Sequence, residues 1–226
     1  MAQEILIIGE SGTGKSTSLE HLDPNSTFII NVGKKPMPFR GWKNSYATLS
    51  KDNPQGNYIE TDDAGAIVKT MKHVSDNMPH IKTVVVDDFQ YVMANEYMRR
   101  ANERGFDKFT DIGLHAWEIA TGGKNMRDDI SFIIIGHAEQ STDLNGNRRL
   151  KFKTVGKLVD NVITMEGMFT VVLFTAVSTS PEGNREYKFI TQSDGTTTAK
   201  SPRDMFEFKI DNDIKTVIEK VNEYYN

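Results

Sequence analysis

The sequence predicts an α/β fold: a parallel sheet flanked by helices, with antiparallel hairpins appended. Three observations carry that reading. Ile5-Leu6-Ile7-Ile8, Phe28-Ile29-Ile30, Val84-Val85-Val86 and Phe132-Ile133-Ile134-Ile135 are continuous apolar runs, as strands covered on both faces require. Helical patterns separate them, the signature of βαβ units. After Gly136 the alternation stops, and strand-like runs around Val162, Val171 and Phe189 follow without long helices between them.

In chain order, the first strand enters a glycine-rich turn, after which Lys15 to Leu22 reads as a helix. Asn57-Tyr58-Ile59 is a weak strand. Thr61 to Asp63 supply capping residues for a helix whose Ile67, Val68, Met71, Val74 and Met78 share one face. Helical stretches run from about Tyr91 to Glu103, and from about Asp111 to the stop at Gly122-Gly123. Asn145-Gly146 sits between alternating segments as a hairpin turn. Asp213 to Tyr224 closes the chain as an amphipathic helix presenting Ile214, Val217, Ile218 and Val221. No linker divides the 226 residues, so one domain, 1–226, is expected.

Composition narrows the function classes. Hydrophobic residues make up 38% and charged residues 26%, as in ordinary soluble proteins. The absence of cysteine excludes disulfide scaffolds, thiolate metal sites and cysteine nucleophiles, and fits a reducing, cytoplasmic setting. No secretory leader is visible at Met1-Ala2-Gln3-Glu4-Ile5. The longest apolar stretch, Phe169 to Val177, is about half of the roughly 20 residues a bilayer needs, so no membrane partner is expected. A net charge of −4 gives no global attraction to nucleic acid, leaving local basic patches to provide any.

Gly9-Glu10-Ser11-Gly12-Thr13-Gly14-Lys15-Ser16, followed by Thr17, matches G-x-x-x-x-G-K-[ST] between a strand and a helical stretch. Glycines let the backbone turn its N–H groups inward, and Lys15 reaches the outer phosphates of a nucleotide. Ser16 gives its hydroxyl to Mg²⁺. Phosphoryl transfer also needs a carboxylate at a neighbouring strand end, and Thr83-Val84-Val85-Val86-Asp87-Asp88 provides two. Asp87 reads as the metal-side acid and Asp88 as the residue that handles the attacking water; the bland alternative is that the pair caps the next helix. Glu60 is a rival for the water. His137, with Gln140 behind it, ends a buried strand where it can sense a terminal phosphate.

This order of parts resembles the RecA-like core of phage ATP-binding proteins, a P-loop NTPase group linked to single-strand annealing and recombination and classed with AAA-type ATPases. The anchors are Gly9 to Ser16, Val84 to Asp88, Gly136-His137, and Ala199-Lys200-Ser201-Pro202 followed by Phe206 and Asn212-Asp213. The resemblance implies ATP and Mg²⁺ as cofactors, single-stranded DNA as partner, a homo-oligomer in ring or filament form, and the host cytoplasm as location. It also implies a DNA loop after the fourth strand, where Arg148, Arg149, Lys151, Phe152, Lys153 and Lys157 interleave cations with an aromatic. A solvated hairpin edge is the competing reading of that run. Lys34, Lys35, Phe39, Arg40, Trp42 and Lys43 form a second such cluster. RecA-like enzymes carry a glutamate after the second strand, where this chain has Gly33-Lys34-Lys35. Because no cation besides Lys15 lies in a phosphate motif, Lys200 is expected to act on the γ-phosphate of a neighbouring subunit. Asp62-Asp63-Ala64-Gly65 fits D-x-x-G, but no N-K-x-D follows, which disfavours a GTPase. A small-molecule kinase and a non-hydrolysing ATP-dependent clamp or loader remain as alternatives.

Overall fold

The computed structural model describes residues 2–142, 146–156, 159–160 and 163–225; Asn145, Lys157 and Val162 lie outside them. Nine strands are present among the described residues: β1 (Gln3–Gly9), β2 (Thr27–Asn31), β3 (Tyr58–Glu60), β4 (Thr83–Asp87), β5 (Ser131–Thr142), β6 (Arg148–Phe152), β7 (Val171–Thr179), β8 (Arg185–Ile190) and β9 (Lys209–Asp211). They lie in the order β3-β2-β4-β5-β1-β7-β8-β9, with β6 paired to β5 off that path. Six strands, from β3 across to β7, run parallel. β7 therefore corrects the expectation of a hairpin there: it is the parallel neighbour of β1, and only β8 and β9 add antiparallel pairings at that edge.

Alternation along each central strand feeds two cores. Leu6, Ile8, Phe28, Ile30, Val84, Val86, Phe132 and Ile134 face one side, against α2 (Ala64–Asn77), α3 (Gln90–Arg99) and α4 (Asp107–Gly122). Ile5, Ile7, Ile29, Val85, Ile133 and Ile135 face the other, under the C-terminal helix Ile214–Tyr225. Asp63 caps α2 as expected, accepting a hydrogen bond from the Ala66 N–H at 2.7 Å. No helix among the described residues is long and apolar enough to cross a membrane.

The helix expected from Lys15 to Leu22 shrinks to a 3₁₀ turn at Thr17–Leu19. Two features truncate it. The Ser18 hydroxyl donates to the Lys15 carbonyl, diverting a helical acceptor, and Pro24 pushes Asp23 out of the helical region.

Glu4 on β1 has a buried carboxyl oxygen without a hydrogen-bond partner. Burial pushes its carboxyl from 4.5 up to about 7, against the pull of Lys124. The folded state thus holds this proton more tightly than the unfolded chain, so the contribution to stability is present below pH 4.5 and is lost as pH rises through about 7. Glu4→Gln is expected to remove that dependence: melting curves should show the variant gaining on the wild type between about pH 5 and pH 8.

Candidate active site

The Gly9–Ser16 loop leaves β1 at the carboxyl end of the sheet, where ligands of open α/β sheets bind. Gly12 and Gly14 take φ of +78° and +92°, a region closed to most side chains. Gly9 is required for a different reason: a Cβ there would lie 1.7 Å from Thr175 Oγ1. Thr175 also hydrogen-bonds Thr13 at 2.5 Å, tying the loop to β7. On Gly14 a Cβ would lie 2.9 Å from Asn212 Oδ1 and 3.0 Å from Tyr187 Cδ1, so both side chains press on the loop from outside. Lys15 is buried and donates to the Glu10 carbonyl at 2.6 Å. Burial lowers its pKa, with Asp88 and Asp87 pulling the other way. Because only a short turn follows the loop, anion binding here depends on local N–H groups and Lys15 rather than on a long helix dipole.

Ser16 donates to Asp87 Oδ1 at 3.0 Å, bringing β4 to the loop across the intervening β5. Burial and the neighbouring Asp88 push the Asp87 carboxyl up to about 6. A carboxylate kept in the dark beside a hydroxyl suits a hard cation that takes one or two protein oxygens and completes its shell with water and phosphate. Ser16 and Asp87 border a cavity of about 140 Å³ that Asn31, Lys35 and Asp88 also line. The residues thus fit Mg²⁺, which would supply neutralisation of developing phosphate charge. No cluster of three or more His, Asp or Glu competes for a metal among the described residues.

Asp88 adopts φ of +60°, an uncommon conformation for a non-glycine residue. Its carboxylate is held by Lys35 Nζ at 2.6 Å and by His137 Nε2 at 3.4 Å. Burial pushes its pKa up, and the hydrogen bonds from His137 and Lys35 outweigh this and bring it down to about 2. Asp88 is therefore an ionised acceptor suited to orienting a water. The helix-capping alternative fails: α3 has no side-chain cap, and Phe89 occupies its N-cap position. His137 sits at the point where β5 leaves the parallel sheet, its N–H donating to Gln90 Oε1 at 3.2 Å. Gln140, its deputy, is exposed on the hairpin three residues further out.

Other expected residues lie elsewhere. Glu60 ends the edge strand β3, four strand spacings or about 19 Å from β1, and is exposed with its carboxylate on the Tyr58 hydroxyl at 2.8 Å. Lys200 is not a loop charge: it is laddered to Val172 of β7 through hydrogen bonds of 2.8 and 2.9 Å. Val172 pairs with Leu6, about 10 Å below Gly9 along the strand, so Lys200 cannot reach its own phosphate loop. Asp62, of the D-x-x-G match, is bound by Lys34, Asn95 and Arg99, which hold its pKa well below the carboxylate range, led by Lys34.

The basic run divides. Arg148, Arg149 and Lys153 are exposed. Lys151 is engaged by Asp160 and Glu139. Phe152 is 1% exposed, its ring 6.0 Å from that of Phe89, and corrects the expectation of a stacking platform. A Cβ on Gly136 would lie 2.3 Å from this ring. Phe152→Ala is expected to cost about 3–5 kcal/mol in urea unfolding, as deletion of a core aromatic does; an unchanged midpoint would return the ring to the surface. In the second cluster, Lys34 and Lys35 are ion-paired, and Phe39 and Trp42 pack against the core.

Lys35 is the residue that sequence reasoning missed. It entered as the place where a glutamate is lacking and as one member of a basic-aromatic cluster, yet it lines the cavity beside Ser16. A larger apolar groove of about 440 Å³ on α4, lined by Phe106, Leu114 and Trp117 among others, has no ionisable lining group and lies apart from this chemistry.

A search of curated proteins finds no match to this chain. A family model described as an AAA domain matches residues 1–203, which take in the phosphate loop, the β4 carboxylates, His137 and the basic hairpin. With nine-tenths of its length covered by that match and a mostly parallel sheet carrying the glycine-rich loop, the chain belongs to the AAA domain family of P-loop ATPases.

Proposed function

We propose that this protein hydrolyses ATP with Mg²⁺ at the Gly9–Ser16 loop and uses that cycle on single-stranded DNA, as a homo-oligomer. The observation that supports hydrolysis is the convergence of Lys15, Ser16, Asp87, Asp88 and His137 from the central strands β1, β4 and β5 at the carboxyl end of the sheet. A clamp that binds without turnover would have no use for an ionised Asp88 beside the metal site.

Single-stranded DNA is supported by Arg148, Arg149 and Lys153 on the hairpin that starts at His137, where the Lys153 N–H donates to the His137 carbonyl at 2.9 Å. The test is ATP turnover with and without single-stranded DNA, at two salt concentrations. Stimulation by DNA is expected. Neutralising the three cations together should flatten the log–log salt slope of DNA binding by about two, at roughly 0.7 per phosphate contact. An unchanged slope leaves the hairpin as a solvated edge, and turnover indifferent to DNA removes the partner. Sedimentation with ATP and Mg²⁺ reads the assembly.

A further inference from the structure

The turn after β2 is built around one lysine. Asn31 is buried at the end of β2, and its amide donates to the Lys35 carbonyl and to the Tyr58 hydroxyl, both at 2.6 Å. Lys34 takes φ of +52° and is tied down by Asp62 at 2.7 Å. Gly33 must be glycine, because a Cβ would lie 2.4 Å from Asp88 Oδ2 and 3.0 Å from Lys35 Cε. Among the described residues, Lys34 and Asp88 are two of the three non-glycine residues with positive φ, and they flank the same contact. Such conformations are strained for residues with a side chain and gather where a site needs them. The result is that Lys35 Nζ lies 2.6 Å from Asp88 Oδ2 and 5.7 Å from the centre of the Tyr91 ring.

A structural counterion for Asp88 would need neither the strained turn nor an opening to the site. Lys35 has both, since it lines the cavity shared by Ser16, Asp87 and Asp88, and its side chain is 59% exposed while that of Asp88 is 4% exposed. Ser16 and Asp87, the residues that would hold Mg²⁺, border this cavity together with Lys35, so a phosphoryl group held by that metal would come within its reach. We infer that Lys35 is the cation that contacts the terminal phosphate of the bound triphosphate from within the same chain, and that Asp88 holds it ready.

This takes over the role expected of Lys200 in a neighbouring subunit, because the premise that only Lys15 is available no longer holds. Burial of Lys15 near Lys35 agrees with two ammonium groups facing one anion. The chemistry is ordinary for phosphoryl transfer: the bond from the γ-phosphorus to the bridging oxygen breaks with its electron pair leaving on ADP, the water oxygen bonds to that phosphorus, the water's proton passes to the phosphate product, and in the transition state negative charge is spread over the three equatorial oxygens. Lys35 would meet the equatorial charge, and no proton transfer is assigned to it.

The inference rests on ATP hydrolysis at the Gly9–Ser16 loop, and the test separates the two. Binding of fluorescent ADP and of a non-hydrolysable triphosphate, each with Mg²⁺, is measured alongside turnover for the wild type, Lys15→Ala, Lys35→Ala and Lys35→Arg. Lys35→Ala is expected to bind ADP like the wild type, to bind the triphosphate at least about tenfold more weakly, and to turn over about 10²–10³-fold more slowly. Lys35→Arg should recover part of the triphosphate preference. If Lys35→Ala keeps both the preference and the rate, or weakens ADP and triphosphate equally, Lys35 does not touch the terminal phosphate, while the loop assignment stands. If the wild type binds neither nucleotide, or Lys15→Ala matches it throughout, the loop assignment fails and takes Lys35 with it.

Discussion

Lys15→Ala protein is expected to hydrolyse ATP about 10²–10³ times more slowly than the wild type, as loss of one preorganised donor does in other electrostatic sites. It is expected to unfold at the same temperature or slightly higher. The reason is in its surroundings: the ammonium is buried, its pKa is lowered by that burial, and its hydrogen-bonding partner is the Glu10 carbonyl. Holding a charge there costs stability and serves phosphate binding. Steady-state turnover and a thermal melt on the same preparation check both halves. Wild-type turnover in the variant would show that the loop is not the catalytic site.

Asp88→Asn is expected to lower kcat by about 10²–10⁴, the range for loss of a positioned acid–base group. Asparagine is the informative replacement, since it tolerates the left-handed backbone at φ +60° and keeps the side-chain shape. Glu60→Gln should leave kcat within about twofold, because Glu60 stands two strand spacings, about 10 Å, from Asp87 and its carboxylate accepts from the Tyr58 hydroxyl. Reversal of these two results would move the water to Glu60 and require the site to be rebuilt around the sheet edge. A melting temperature measured with each rate shows that Asp88→Asn acts on chemistry, since the partners it releases, Lys35 and His137, remain partly exposed to water.

The sequence reveals what short-range pattern encodes. The apolar runs at Ile5, Phe28, Val84 and Phe132 became β1, β2, β4 and β5, because a strand buried on both faces has no other way to be written. The loop and the two aspartates were legible for the same reason, since each sits at the end of such a run. Strand order is different. That β3 would be an edge strand, and Glu60 remote, is decided by which strands pair and not by anything near Glu60. β7 read as a hairpin because the segment before it lacks a long helix, yet its pairing to β1 is parallel. Phe152 looked like part of a basic run until hairpin register turned it inward onto Gly136. Lys35 was hidden because its position depends on Asn31 and a left-handed Lys34, which no periodicity announces.

One consequence follows from the length of β5. Its first half is locked between β1 and β4, and its second half, Ala138 to Thr142, leaves the sheet to pair with β6. His137 lies at the boundary, and both arms of the hairpin are fastened there: one by covalent continuity, the other by the Lys153 N–H and by the Phe152 ring on Gly136. The segment beyond His137 runs out about 17 Å, and its partner β6 is braced a second time, where Leu150 exchanges backbone hydrogen bonds of 2.8 and 3.1 Å with Thr196 and Thr198. Arg148 and Arg149 thus sit on a hairpin braced at two points, which holds them at a fixed reach from the residue that faces Asp88.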